Sequence, residues 1–166
     1  MASVPVVVPS RGSKLIGGAI RTEVTREELT QSLLEGFFPQ VAVSDAPLSR
    51  ARGGLTQLGL PYAQDAAITR HLGAFLSRQR DALAEVSGFE GALPASASFL
   101  HPTAVLFNGG VLKSSLLAER VLNTLNGWLS TEGAAPARLL GGADLDLAVA
   151  RGAAYYGYVR RGRGVH

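Results

Sequence analysis

Residues 103–107, TAVLF, form a short continuous apolar run, and Asn108, Gly109 and Gly110 follow it without a gap. A run of this kind suits a strand covered on both faces in a parallel sheet. Parallel neighbours cannot be joined by a tight turn, so the chain needs a long crossover before the next strand. The sequence supplies one. Leu116, Leu117, Val121, Leu122, Leu125 and Trp128 recur at helical spacing, which predicts a buried-face helix from about Ser114 to Trp128. Residues 137–140, after the Pro136 loop, are expected to form another short strand. This strand, glycine turn and helix point to the α/β class.

Further elements are legible on either side. Residues 14–25, KLIGGAIRTEVT, read as extended, with β-branched Ile20, Thr22 and Val24 spaced by two and Gly17-Gly18 marking a bulge or close approach. Thr25 and Glu28 form a capping box. The threonine hydroxyl accepts from the amide three residues on, and the glutamate reaches back to the Thr25 amide. The helix it opens runs to about Phe37, carrying Leu29, Leu33, Leu34 and Phe37, and Pro39 ends it. Residues 44–61 read as loop. Asp65 is the expected cap of a second helix over residues 66–86, with Ile68, Leu72, Phe75, Leu76 and Leu83 on one side and Arg70, Arg78, Gln79 and Arg80 facing out. Residues 87–102 are irregular. A last helix over about 144–159 lines up Ala148, Ala150, Gly152, Ala153 and Ala154. Glycine inside a helix costs roughly 1 kcal/mol relative to alanine, so Gly152 is expected to mark close approach of another backbone. No internal repeat is present.

Composition narrows the function classes. The 166 residues suit one ordinary domain that buries roughly 70% of its unfolded surface. A mean hydropathy of +0.17 argues against a polar disordered tail. With no cysteine, a disulfide framework, thiolate zinc sites and a cysteine nucleophile are all excluded, and a reducing cytoplasm is favoured. No apolar run approaches the ~18 residues of a membrane span. The opening MASVPVVVPS has no basic segment before its apolar one and holds two prolines, unlike a secretory signal. Net charge is +3, yet Arg160, Arg161 and Arg163 fall in the closing RRGRGVH, and without them the chain is neutral. The charge therefore belongs to the chain end rather than to a basic face, and neither nucleic acid nor membrane is an expected partner.

Few features could carry chemistry. A glycine pair after a strand lets backbone amides approach a ligand, and a following helix start favours negative charge. A ligand-free Gly-Gly turn is an equally good account of FNGG, because neither GxGxxG nor GxxxxGK[ST] occurs. His71, His101 and His166 fit no compact metal spacing, there is no HExxH, and no GxSxG marks a serine nucleophile. No catalytic residue and no metal ligand are assigned. Asp144 and Asp146 open the last helix. One of them can cap it, or one can contact a ribose or an ordered water near the glycine turn, and pattern does not choose between these.

Three segments taken in order resemble a known family. TAVLFNGGVLKSSLLAERVLNTLNGW is similar to the second-lobe adenosine motif of the actin-like ATPase superfamily, a hydrophobic strand ending in a Gly-Gly turn before a helix. DLDLAVARGAAYYG resembles the helix that closes the nucleotide domain of seventy-kilodalton heat-shock (DnaK-type) chaperones. Upstream, GGAIRTEVTREELTQSLLEGFF is similar to a strand and helix earlier in that lobe, and GLPYAQDAAITRHL resembles a stretch of divergent bacterial DnaK-like proteins. The resemblance implies part of an actin-like (ribonuclease H-like) α/β lobe with short strands and about four to five helices. Residues 1–43 would be its peripheral α+β piece, 44–102 a loop and helical insertion, and 103–166 the core piece with the adenosine motif.

It also implies ATP or ADP as ligand. Gly109 and Gly110 match the turn approaching adenosine and phosphates, Lys113 stands where the family usually has arginine, and Asp146 matches an acidic residue near the nucleotide. Val111 replaces the usual serine. Lysine for arginine keeps the charge and loses planar stacking. The first-lobe motifs D-x-G-T-x and D-x-G-G-G-T are missing, so Mg²⁺ would be held only by the other lobe. The chain is thus expected to serve a cytoplasmic parent chaperone that hydrolyses ATP, without hydrolysing ATP itself. Its partners would be adenine nucleotide, the rest of the parent, and unfolded clients or co-chaperones. The alternative is a non-catalytic interaction module that keeps the glycine turn only as structure.

Overall fold

The computed structural model describes residues 3–9, 19–48, 64–89, 91–142 and 144–163. Its chain builds four α-helices and two small sheets, an α/β arrangement among the described residues. β1 (Ser3–Pro9) pairs antiparallel with β2 (Ala19–Thr25), from Ser3 opposite Thr25 to Pro9 opposite Ala19. β2 occupies the second half of the expected extended segment, whose residues 14–18 lie outside the described residues. β1 was not anticipated. Its prolines argue against a strand in general, but a strand with one free edge tolerates proline wherever the missing N–H faces outward. The register sets Val4, Val6 and Val8 across from Val24, Thr22 and Ile20, so these six residues share one face of the sheet.

Thr25 ends β2 and caps α1 (Arg26–Phe37) as the sequence predicts. Its Oγ1 accepts from the Glu28 amide at 3.2 Å, and its own amide donates to the Glu28 carboxylate at 2.9 Å. Phe38 is buried, and Pro39 and the irregular residues after it lead the chain to the core.

The core forms where α2 (Ile68–Ala84) and α3 (Ser115–Thr131) meet the segments around 41–43 and 97–100. Leu76, Phe99, Leu125, Trp128, Leu129 and Ala137 are buried together, with Val41, Val43, Leu72 and Val105 packed against them. Phe99 and Trp128 meet edge to face at 6.4 Å between ring centroids. The Trp128 indole N–H donates to the Val41 carbonyl at 2.6 Å, which satisfies the one polar atom that this large ring brings inside.

α2 starts two residues later than expected, and its buried stripe is narrower. Thr69, Gly73 and Leu76 face inward, whereas Ile68 and Phe75 are exposed. The reason is the close approach of residues 39–43. The Thr69 hydroxyl donates to the Pro39 carbonyl at 2.7 Å, and a Cβ on Gly73 would sit 2.9 Å from the Val43 carbonyl oxygen. α3 extends three residues beyond expectation and buries Leu117, Leu125, Trp128 and Leu129, while Leu116 is exposed.

β3 (Ala104–Val105) pairs parallel with β4 (Arg138–Leu139), the direction that the crossover helix requires. The expectation of a five-residue strand covered on both faces is not met. Two residues form the strand, both half-buried, and Leu106 is exposed, because a two-stranded sheet here is covered only on the side of the core. The last helix, α4 (Ala148–Arg160), begins after the expected Asp144 and buries no residue. Nothing lies within 4 Å of a Cβ built on Gly152, so the close approach expected there is absent among the described residues. Val149, Tyr155, Tyr156 and Tyr158 are exposed along α4. No described helix is long and apolar enough to cross a membrane.

Candidate functional site

The glycine turn leads directly from β3. Gly109 has φ near +89°, a left-handed conformation that favours glycine, and it precedes a 3₁₀ turn over Gly110–Lys113. The Leu112 amide closes this turn on the Gly109 carbonyl at 3.3 Å. The first amides of the turn, on Gly110 and Val111, have no partner within it. Among the described residues nothing lies within 4 Å of a Cβ built on Gly109 or Gly110, which leaves this face of the turn clear of them. Val111 is 63% exposed beside it.

Lys113 ends the 3₁₀ turn, and its ammonium contacts Asp146 Oδ2 at 2.5 Å. Asp146 is 33 residues further on, in the approach to α4. The four residues that the resemblance singles out thus fall in one region. Gly109, Gly110 and Lys113 share a single turn, and Asp146 is drawn to it by the ion pair. Asp144 supports the arrangement. Its carboxylate accepts from the Leu147 and Asp146 amides at 3.1 Å each and pairs with Arg151 at 3.4 Å. The Leu147 and Asp146 amides, with smaller contributions from Arg151 and Lys113, hold the Asp144 carboxyl below its usual range. Asp144 is therefore the residue that shapes the entry to α4, and Asp146 is left to face Lys113.

The Lys113 and Asp146 side chains are 52% and 61% exposed. Ion pairs this exposed contribute about 0.2–1 kcal/mol, little enough for a ligand to open them. Once parted, the ammonium offers donors and positive charge, the carboxylate offers an acceptor for a hydroxyl, and the open amides offer an anion cradle. The donor set suits an anionic, hydroxylated ligand. Among the described residues no group of three or more acidic or histidine side chains could hold a metal ion.

Two other polar clusters lie elsewhere, and each reads as architecture. Asp65 accepts from the Leu48 amide at 2.7 Å, the Ala67 amide at 2.8 Å and Arg70 at 3.2 Å, and these bonds hold its carboxyl at about 2. His71 donates from Nε2 to the Asp65 carbonyl at 2.9 Å. The sequence places Asp65 as the cap of α2, but the N-cap is Ala67, which makes no side-chain cap bond, and Asp65 instead ties the residue before the helix to residue 48.

In the second cluster Ser98, His101 and Glu132 come together. The Ser98 hydroxyl and amide donate to the Glu132 carboxylate, and His101 Nε2 donates to its Oε2 at 2.7 Å. Burial raises the Glu132 carboxyl, and the bonds from Ser98 and His101 outweigh it, so the group stays below its usual range. Nucleophilic catalysis needs the imidazole between hydroxyl and carboxylate. Here the carboxylate stands between the other two, so the cluster ties the end of α3 to the 98–101 segment and does not activate Ser98. Nothing in the separations of these three residues along the chain announces the cluster.

No protein-family model, no curated protein and no solved structure matches this chain.

Proposed function

We propose that the chain is part of the ATP-binding domain of a DnaK-like molecular chaperone, a second-lobe piece that contributes adenosine-side contacts to the parent ATPase. The observation that carries this reading is the pairing of Lys113 with Asp146 beside the open Gly109-Gly110 turn. The element order supports it: a short strand, glycine turn and helix lead to a parallel strand and then to a helix whose entry returns to the turn. In this reading residues 103–160 are the core piece, and α4, which buries none of its residues, packs against the remainder of the domain. The setting is the bacterial cytoplasm.

Lys113 would leave Asp146 to meet the nucleotide, and Asp146 would accept from a ribose hydroxyl. The Gly110 and Val111 amides would face negative charge. Phosphoryl transfer depends on positioning and on the metal, and this chain's part is confined to positioning. Titration of the chain with a fluorescent ADP analogue tests the reading. Saturable binding that Lys113→Ala and Asp146→Ala each weaken supports it, and binding that neither substitution alters refutes it.

The second reading is a non-catalytic interaction module. The exposure of Val111 beside the turn, where the family has a hydroxyl, favours it. Capture of the same partner with and without ATP would select this reading over the first.

A further inference from the structure

Among the described residues no strand pairs with the outer edge of β2, and the residues of that edge are complementary to themselves. In β1, Pro5 and Pro9 have no N–H to give a ladder bond, so the odd-numbered residues of β1 turn their main-chain groups away from β2. Val4, Val6 and Val8 then make the ladder bonds with Val24, Thr22 and Ile20. On β2 the groups turned outward accordingly belong to Ala19, Arg21, Glu23 and Thr25.

The two edges of this sheet are unequal. The outer edge of β1 is interrupted by two prolines, a common protection against further pairing. The outer edge of β2 presents unbroken N–H and C=O groups at Arg21 and Glu23, and the Thr25 amide is already taken by Glu28. Residues 19–23 are all exposed. α1 leaves this edge clear, because Leu29 and Arg26 border an apolar cleft with Val4, Val6 and Val24 on the sheet face instead. A lone two-stranded sheet is marginal in water, and three or more strands with an apolar face are stable.

We propose that β2 pairs antiparallel with β2 of a second copy of this chain, about a twofold axis through Thr22. Only odd residues can exchange bonds across the open edge, which leaves three central registers. Centring on residue 21 sets Arg21 against Arg21, and centring on residue 23 sets Glu23 against Glu23. Centring on Thr22 sets Arg21 of each copy opposite Glu23 of the other, giving two cross-strand pairs of opposite charge. Cross-strand ion pairs favour pairing, and like charges directly opposite disfavour it. Arg21 has no ion-pair partner within the described chain, and Glu23 uses one oxygen to accept from the Ser3 hydroxyl at 3.0 Å, leaving the other for Arg21. The same register brings Ile20 against Val24 of the second copy on the apolar face. The product is a four-stranded sheet in the order β1-β2-β2-β1, closed by an isologous contact.

Sedimentation equilibrium of the full chain tests this, together with charge reversals. The wild-type chain sediments as a monomer–dimer equilibrium. Arg21→Glu or Glu23→Arg sets like charges in both pairs and raises the dissociation constant by about tenfold or more, and the double reversal restores it. Cross-linking gives an independent readout. The Thr22 pair is non-hydrogen-bonded, with Cα atoms about 4.5 Å apart, inside disulfide range. Because the chain has no cysteine, oxidised Thr22→Cys yields a single linked dimer, and Val7→Cys on the blocked β1 edge does not. A wild-type chain that stays monomeric overturns the proposal. So does a dimer indifferent to both reversals, or one that the double reversal fails to restore.

Discussion

Replacing Gly73 with alanine sets two known effects against each other. A methyl group there meets the Val43 carbonyl oxygen at 2.9 Å, Val43 Cα at 3.4 Å and Trp128 Cη2 at 3.5 Å. Comfortable contacts begin near 3.5 Å, so α2 and the 41–43 segment must part by about half an ångström. That segment has little freedom to move. Trp128 holds the Val41 carbonyl, the Ala42 and Asp45 backbone and side chain bond to each other, and Thr69 holds Pro39. Overpacking of this kind costs about 1–3 kcal/mol, and alanine returns up to about 1 kcal/mol of helix propensity. The net effect is destabilisation by about 1 kcal/mol, or roughly 2–4 °C in melting temperature for a chain of this size.

Gly152→Ala is the matched control. Among the described residues nothing lies within 4 Å of its Cβ, so only the propensity gain remains. Thermal denaturation followed by circular dichroism at 222 nm reads both substitutions. Gly73→Ala melts below wild type, and Gly152→Ala does not lose helix signal. A Gly73→Ala chain as stable as wild type would refute the tight packing of α2 on residues 41–43.

Acid titration probes Asp65. Its native pKa of about 2 lies below the ordinary value near 3.9, so the stabilisation is in force above roughly pH 4 and is lost as pH falls towards 2. Asp65→Asn should be less stable than wild type at neutral pH and should show a shallower loss of melting temperature between pH 4 and pH 2. The remaining slope comes from Glu28, Glu132 and Asp144, which are lowered in the same direction. Thr25→Ala removes the cap of α1 and should lower stability by about 1 kcal/mol, measured by urea denaturation, with an unchanged midpoint counting against the capping box.

What could be read from the sequence was local. The capping box at Thr25 and Glu28 spans three residues and is satisfied by the backbone it starts, so it emerged with both of its hydrogen bonds. The apolar period of α3 survives because Leu125, Trp128 and Leu129 reach the same core. β1 was hidden by Pro5 and Pro9, which an outward-facing edge accommodates. Phe99, completely buried, lies in a segment with no period to reveal it. The small-residue face of α4 suggested tight packing, yet composition states what a helix can approach and not what is there to meet it. The candidate site divides in the same way. Gly109 and Gly110 stand out as a turn after an apolar run, whereas the meeting of Lys113 with Asp146 depends on how the helix and β4 return the chain, and no spacing rule contains it.

The central claim concerns the glycine turn and its ion pair as a nucleotide contact. Titrating the ¹⁵N-labelled chain with ADP while following amide shifts tests it most directly. The account predicts saturable movement of the Gly109 and Gly110 signals, accompanied by that of Lys113 and Asp146. Signals at those four positions that stay fixed up to millimolar ADP would contradict it.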